Sequence, residues 1–406
     1  MSQDTSKTFL CISNYFKGAA FLIALKEAEN KVYLITTEKL KDSPWPHDHI
    51  DEIFYMPGQD LDWDLEKLLF GVAGIMKANK IDSIIALDDY DVEKATFLRE
   101  SLRIPGMGQT TGRYFRDKLA MRMRAKDAGV LVPEFSPLFN DKEINNFADT
   151  VPAPWVLKPR SEASANGIIK VHNKDELWQN IHELGDNRVR YLVEKFEPGD
   201  VYHADSLNID GKPIACIVSQ YLATPMEISL GGGIFRSANI TYGSDDDKAI
   251  KEANKQVMKA FGMKSGAAHT EFIKGKKDGK IYFLETSSRV GGAHLAEMVD
   301  AASGINMWTE WAKIEDAKVK GTKYKLPKIQ KGYAGIVLTL SKYQHPDLSS
   351  FNDTEVCFKV PLDYHAGLIV KSKNHTRVRE LLDDYAERLS QDFSTTAAQE
   401  KVKKFH

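Results

Sequence analysis

The stretch His269-Thr-Glu-Phe-Ile-Lys-Gly-Lys-Lys-Asp-Gly-Lys-Ile-Tyr-Phe-Leu-Glu285 carries the strongest indication of the fold. It places two β-prone runs around a polar, glycine-containing turn, which is typical of a β-hairpin. A pairing centred on Asp278 sets Glu271 directly opposite Glu285. The same register predicts two further cross-strand pairs, Phe272 with Leu284 and Ile273 with Phe283.

The two opposed glutamates need a partner. Like charges opposite each other across a ladder are destabilising, so they require a raised pKa, a cationic side chain or a divalent metal. If the chain stays extended after the hairpin, Glu285, Ser287 and Arg289 face one side. A carboxylate, a hydroxyl and a guanidinium on one surface suit magnesium-bound phosphate. The alternative is a surface hairpin with two solvated acids.

Length and charge limit the function classes. The chain has 406 residues, which favours two to four subdomains. With 55 Lys and Arg against 57 Asp and Glu, the net charge is -2, which argues against nucleic acid as the main partner. The three cysteines are far apart, so neither a disulfide framework nor a zinc site is indicated. We find no signal peptide or membrane span in the sequence, and we expect a cytoplasmic protein.

The first part of the chain alternates strand and helix. The predicted strands are 8–12, 31–36 and 83–87, and the predicted helices are 17–29, 62–79 and 91–102. This pattern predicts a parallel sheet with helices on its faces. Without a GxGxxG or GxxxxGK[ST] motif, neither a nicotinamide site nor a P-loop is supported. Asp88 and Asp89 follow the third strand, where open α/β sheets bind ligands, although helix capping around Asp91 explains them equally well.

The rest of the chain is mixed. A helix from about Arg116 to Ala128 ends at Gly129, and a compact α+β lobe follows. Further antiparallel strands surround the acidic hairpin, the section after it is β-rich, and the charged end 399–406 is expected to fray. The segment 376–391 predicts an amphipathic helix with one apolar face, formed by Val378, Leu381, Leu382, Tyr385 and Leu389.

Two lysines have unusual surroundings. Lys158 points inward from an apolar strand, and Lys118 opens a helix beside Asp117. An inward ammonium needs an anion, and the small-residue loop 161–167 allows backbone N–H groups to approach phosphate oxygens. The alternative for either lysine is a snorkelling or solvated side chain.

Taken in order, the motifs resemble the ATP-grasp superfamily over nearly the whole chain, and six elements in one order are far more specific than any one of them. The run at 289–294 resembles the carboxylate-amine ligases that join amino acids, the L-amino acid ligase-like subgroup. The motifs are Pro105-Gly106, Asp117-Lys118, Val156-Leu-Lys-Pro159, Val193-Glu-Lys-Phe-Glu-Pro-Gly199, Glu271 and Glu285-Thr-Ser-Ser-Arg289-Val-Gly-Gly292.

The resemblance implies a fold class of α/β plus α+β, the ATP-grasp fold. A Rossmann-like parallel-sheet domain (1–115) would precede an ATP-grasp domain (116–320). Within that domain, a small lid lobe at about 133–198 and a large lobe at about 199–320 would clasp ATP. A β-rich C-terminal subdomain with a terminal helix (321–406) would follow.

The resemblance also implies the site residues. The ATP-binding residues would be Lys118 and Lys158 at the phosphates, Glu194 with Lys195 and Glu197 at adenine, His203 at the ribose, and Gln220 as a second polar contact. The metal ligands would be Glu271, Glu285 and Ser287, where Ser287 replaces the asparagine of most members. The catalytic residue would be Arg289, and the substrate would approach Arg236, Gly291, Gly292 and His294.

The implied activity is that of an ATP-dependent carboxylate-amine ligase that works through an acyl phosphate. Its cofactors would be ATP and one or two Mg²⁺ ions, with Mn²⁺ able to substitute. Its partners would be a small-molecule carboxylate and an amine, both amino acids, with no nucleic acid or membrane, and a homodimer is left open. Two alternatives stay open, a carboxylase that activates bicarbonate and an ATP-binding scaffold without catalysis.

Overall fold

Three β-sheets organise the chain. The computed structural model describes residues 6–57, 63–162, 167–224, 226, 228 and 233–395. Positions 163–166 of the small-residue loop and the charged end therefore lie outside the described residues. Among the helices that the structure describes, none has the length and apolar character needed to cross a membrane.

The first sheet is parallel, and its strand order is β3-β2-β1-β4. This confirms the predicted parallel sheet. Strand β3 was not predicted, because it is a short strand that is only half-buried at the sheet edge. The elements are β1 (Thr8–Ser13), α1 (Ala19–Glu27), β2 (Lys31–Thr37), β3 (Glu52–Met56), α2 (Leu65–Met76), β4 (Ser83–Ala86), α3 (Val92–Ser101) and α4 (Gln109–Arg113).

The second sheet is antiparallel, with the order β5-β8-β6-β7. Helix α5 (Lys118–Asp127) leads into it; the Asp117 side chain caps this helix, and it stops before Gly129, whose φ is 76°. The apolar core of the second sheet consists of residues between 138 and 193. Its elements are β5 (Phe135–Pro137), α6 (Asp141–Thr150), β6 (Trp155–Pro159), β7 (Ile169–Val171), α7 (Lys174–Leu184) and β8 (Tyr191–Lys195).

The third sheet is antiparallel and eight-stranded, with the order β13-β12-β9-β10-β11-β14-β16-β15. Strand β11 pairs with β14, so the section after residue 321 extends the sheet that carries the acidic hairpin. The predicted C-terminal helix is confirmed, because all five apolar positions of its predicted face are buried. The elements are β9 (Gly199–Ile209), β10 (Lys212–Tyr221), β11 (Phe235–Asn239), α8 (Asp245–Phe261), β12 (Gly266–Gly275), β13 (Ile281–Ser287), α9 (Leu295–Ser303), α10 (Met307–Lys320), β14 (Tyr333–Leu340), β15 (Val356–Lys359), β16 (His365–Ser372) and α11 (His375–Asp392).

The first and third sheets share one apolar core. Helix α1 packs against α10, where the rings of Phe21 and Trp311 lie 4.8 Å apart. Phe9 of β1 belongs to the same cluster as Leu207 of β9 and Ile217 of β10. This shared burial fixes the edge of the parallel sheet relative to the acidic hairpin.

The register of the acidic hairpin matches the predicted register only at the end that carries the two glutamates. Glu271 lies opposite Glu285, as predicted. Phe272, however, pairs with Phe283 instead of Leu284, and Ile273 pairs with Tyr282, because the register shifts after Glu271. The extra residue on β13 is a β-bulge, which sequence periodicity does not reveal.

Candidate active site

A cleft of about 1270 Å³ receives side chains from the second and third sheets and from Asp89, which follows β4 of the first sheet. It is lined by residues of the parallel-sheet edge, of the second sheet and of the acidic hairpin. Most of the predicted site residues border it: Lys118, Lys158, Glu194, Lys195, Glu197, Glu271, Glu285, Ser287, Arg289 and Gly292.

The opposed glutamates of this cleft are held by different partners. Glu271 accepts a hydrogen bond from the Tyr221 hydroxyl at 2.8 Å, and its Oε1 lies 3.6 Å from His269 Nε2. Burial disfavours the charge of Glu271, but the contacts to His269 and Tyr221 outweigh burial and lower its pKa. Glu285 Oε2 lies 2.8 Å from Lys118 Nζ. Cationic side chains, one of the three expected solutions, therefore stabilise the pair.

The same two carboxylates suit a magnesium ion. They project from neighbouring strands into one cleft, and the Glu285 side chain is one-third exposed there. Hard oxygen donors of this kind are what Mg²⁺ prefers, usually with water completing its shell. The chemistry of Glu271 and Glu285 thus fits the predicted metal.

A buried charge cluster lies beside them. The Glu194 carboxylate accepts hydrogen bonds from Lys158 Nζ and, at 2.8 Å, from Arg122 Nε. Burial lowers the pKa of Lys158 to about 8 despite this contact. Burial opposes the charge of Glu194 too, but two cations face it and hold its pKa below the usual range. Arg122 was missed by the sequence analysis, although its position four residues after Lys118 puts both on one helical face.

Asp89, one of the two acids noted after the third predicted strand, reaches the site from the parallel sheet. Arg289 donates to its Oδ2 from Nε at 3.1 Å and from Nη2 at 2.5 Å, and the Ser287 hydroxyl donates to its Oδ1. Burial disfavours the charge, but Arg289 and Ser287 lower the pKa of Asp89 to about 2. Its neighbour Asp88 accepts from Tyr90 N and pairs with Lys17. The two interpretations of this pair, capping and ligand binding, therefore apply to different residues. Asp88 caps a turn, whereas Asp89 borders the cleft.

His203 does not line the cleft, in contrast to the expected ribose contact. Its ring is fully buried, with Nδ1 2.7 Å from Asp205 and Nε2 2.7 Å from Ser237 Oγ. Asp205 also accepts from His269 Nδ1 at 2.8 Å. Burial lowers the pKa of His269, but the charges of Asp205 and Glu271 outweigh it and raise that pKa to about 9. The cluster of His203, Asp205 and His269 is therefore a hydrogen-bonded carboxylate between two imidazoles.

Four other predicted residues also lie outside the cleft lining. Gln220 is a β10 residue paired with Tyr202 and Ala238, and Arg236 Nη1 forms an ion pair with Asp383 at 2.5 Å. A Cβ at Gly291 would lie 2.8 Å from Asp205 Oδ1, so this glycine is required by packing. His294 Nδ1 lies 3.6 Å from Glu297. None of these contacts supports a direct substrate role.

Comparison with known proteins matches residues 151–297 to the ATP-grasp domain family. An L-arginine-specific L-amino acid ligase of Bacillus subtilis is 25% identical over 242 residues, which cover 58% of this chain and 57% of that protein. A D-alanine–D-alanine ligase of Neisseria gonorrhoeae is 26% identical over 212 residues, covering 51% of this chain and 69% of the ligase. The chain thus spans little more than half the length of the first of these relatives.

Solved structures share the fold over nearly the whole chain. An L-amino acid ligase from Bacillus licheniformis has a TM-score of 0.76 at 17% identity and covers 98% of this chain and 100% of its own. N5-carboxyaminoimidazole synthetase from Staphylococcus aureus, complexed with ADP, has a TM-score of 0.71 at 16% identity and covers 94% and 96%. Residues 151–297 are thus similar to the ATP-grasp domain family, and nearly the whole chain shares the fold of these solved structures.

Proposed function

We propose that this chain is an ATP-dependent carboxylate-amine ligase that joins amino-acid substrates through an acyl phosphate. The observation that carries the proposal is a single cleft in which Lys118, Lys158 and Arg289 meet the opposed Glu271 and Glu285. The ligases named among its relatives support the class of reaction.

The cations of the cleft suit a nucleoside triphosphate. Lys118, Lys158 and Arg289 come from three different parts of the chain and border one cavity. Positive groups that are already in place where charge moves can stabilise a transferring phosphoryl group without reorganisation. The segment 194–197 ends β8 beside the same cleft, and we place the adenine there.

Magnesium would be held by Glu271 and Glu285, and it would neutralise charge on the phosphate oxygens. Lys118 contacts Glu285 at 2.8 Å, so this lysine lies within reach of any phosphate bound to the same carboxylate. Ser287 is turned towards Asp89. Two carboxylates with water are sufficient for a magnesium site.

Arg289 would act at the carboxylate substrate. The γ-phosphoryl group of ATP would move to a substrate carboxylate, and the amine would then attack the acyl phosphate, with loss of phosphate. A guanidinium beside the reacting carbonyl stabilises the oxyanion of the tetrahedral intermediate. In this proposal the lobe at 133–198 covers the cleft and excludes the water that would hydrolyse the acyl phosphate.

The test is ADP release from ATP and magnesium in the presence of amino-acid mixtures, with mass spectrometry of the products. We expect amide products in a one-to-one ratio with ADP. ADP formation that depends on bicarbonate alone would instead indicate a carboxylase. ATP binding without turnover in any mixture would indicate a scaffold.

A matched pair of variants tests the metal assignment. Glu285→Gln should abolish ADP formation and leave the circular dichroism spectrum unchanged. Glu355→Gln is the control, because Glu355 also pairs with a cationic side chain, Arg377, but outside the cleft. Unchanged ADP production by Glu285→Gln would remove Glu285 from the metal site.

A further inference from the structure

We propose that Asp89 and Ser287 are positioning residues for Arg289, and that Ser287 acts through Asp89 instead of binding metal. This inference rests on the proposed ligase function for its kinetic consequence. Its structural part can be tested without turnover. It assigns a role to Asp89, which the sequence motifs did not include.

Hydrogen bonds to the two carboxylate oxygens of Asp89 connect Ser287 to Arg289. One carboxylate oxygen of Asp89 receives the Ser287 hydroxyl, and the other receives Nε and Nη2 of Arg289. Asp89 and Ser287 are both buried, and the Arg289 side chain is only 14% exposed. Because a guanidinium is planar, two donors bound to one carboxylate oxygen restrict the orientation of the whole group.

Arg289 retains donors for a substrate. A guanidinium has five N–H groups. Nε and Nη2 bind Asp89, and Nη1 donates to the Val290 carbonyl at 2.9 Å. These hydrogen bonds use three N–H groups, so two N–H groups make no hydrogen bond to any residue that the structure describes. Arg289 borders the cleft, and an arginine fixed on one side can present its remaining donors to an oxyanion there.

Asp89 itself is held from two directions. Asp88 accepts a hydrogen bond from Tyr90 N at 3.2 Å, which fixes the turn after β4. The apolar core shared by the first and third sheets sets the distance between this turn and β13. The position of Asp89 is therefore fixed by the first sheet, whereas Arg289 follows a strand of the third sheet. A carboxylate on a flexible loop would not be fixed in this way.

Ser287 fits this role better than that of a metal ligand. Its hydroxyl hydrogen is committed to Asp89, and its short side chain is buried. Glu285, two residues earlier, turns to Lys118. The serine thus completes the hydrogen bonds of Asp89, and removing it should loosen Arg289 while the metal affinity stays the same.

Kinetics of single and double variants test the proposal. Asp89→Asn and Ser287→Ala should lower kcat by about 10- to 100-fold, as the loss of supporting hydrogen bonds typically does, with the magnesium half-saturation within twofold of wild type. In an Arg289→Met background, Asp89→Asn should have no further effect. Additive losses, or a rise in magnesium half-saturation in Ser287→Ala, would overturn the proposal.

Two controls match these variants. Asp353→Asn removes a carboxylate that pairs with Arg377 outside the cleft. Ser303→Ala removes a buried hydroxyl that donates to the Val299 carbonyl and accepts from Ile305 N, also outside the cleft. Both should leave kcat and magnesium dependence unchanged. Matching losses in the controls would show that the effects come from general destabilisation and would overturn the assignment.

Nuclear magnetic resonance of arginine Nε-labelled protein reads the contact directly. The Arg289 signal is identified by its loss in Arg289→Met. We expect its Nε–H to exchange slowly with solvent in the wild type, and at least tenfold faster in Asp89→Asn and Ser287→Ala. Unchanged exchange in these variants would overturn the positioning role, even if the wild type shows no ligase turnover. If exchange changes as expected but the wild type shows no turnover, only the proposed function is contradicted.

Discussion

Replacing Glu194 by glutamine should weaken the interface between β6, β8 and α5 more than any neighbouring single change. The Glu194 carboxylate faces two buried cations, Arg122 at 2.8 Å and Lys158. Removing one partner of a buried ion pair typically costs about 3–5 kcal/mol, because the remaining charge stays buried. An amide oxygen can still accept one hydrogen bond, but it cannot neutralise either cation.

The size of the destabilisation depends on how Lys158 and Arg122 respond to the loss of the Glu194 charge. Burial lowers the pKa of Lys158 to about 8 even with Glu194 beside it, and loss of the Glu194 charge lowers that pKa further, so Lys158 can become neutral at little cost. Arg122 cannot lose its proton, and its side chain is completely buried. Arg122 must therefore carry most of the penalty, and we expect a total local destabilisation of about 3 kcal/mol.

Hydrogen exchange with mass spectrometry measures this locally, which matters because a multi-domain chain need not unfold in two states. Peptides covering β6, β8 and α5 should exchange about 100-fold faster in Glu194→Gln, and peptides from β1 should not change. In Glu355→Gln, exchange should stay within twofold of wild type everywhere. If the β8 peptides of Glu194→Gln also stay within twofold, the two cations do not depend on this carboxylate.

Three further outcomes are expected. Arg289→Met should lower turnover by about 10²–10³ while nucleotide affinity measured by calorimetry persists, and equal losses in both would contradict an oxyanion role. The raised pKa of His269, about 9, means that its charge stabilises the fold fully below about pH 6.5 and is lost as pH rises through 9. The melting temperature of His269→Gln should therefore lie furthest below wild type near pH 6 and approach it at pH 10, and a constant difference would show that the imidazole is not charged. Gly291→Ala should cost about 1–3 kcal/mol by thermal denaturation, since its Cβ meets Asp205 at 2.8 Å, whereas Gly292→Ala, with Arg289 Nη1 at 3.9 Å, should be neutral.

The sequence was most informative where side-chain alternation determines geometry. Period-two spacing predicted that Glu285, Ser287 and Arg289 share a side, and all three border the cleft. The register of Glu271 and Glu285 was also predicted correctly. The pairs further along the hairpin were not, because the bulge depends on contacts that a local pattern does not contain.

Long-range contacts explain the other differences. Asp89 and Arg289 are 200 residues apart, and only the packing of the first sheet against the third brings them together. His203 was assigned from the order of motifs, but β9 lies inside the eight-stranded sheet, where Asp205 and Ser237 bind both ring nitrogens. Neighbouring strands decide such contacts, and one sequence does not show which strands are neighbours.

The self-contained core of the second sheet has a mechanical consequence. This core is formed by residues between 138 and 193, so moving the sheet as a body would leave the core intact. The bonds broken would be polar, such as the ion pairs of Arg122 with Glu194 and of Arg160 with Asp117, and the backbone hydrogen bond from Lys118 N to Arg160 O. The two ion pairs therefore resist such a motion, and a highly charged molecule entering the cleft would act on the same charges that hold the sheet in place.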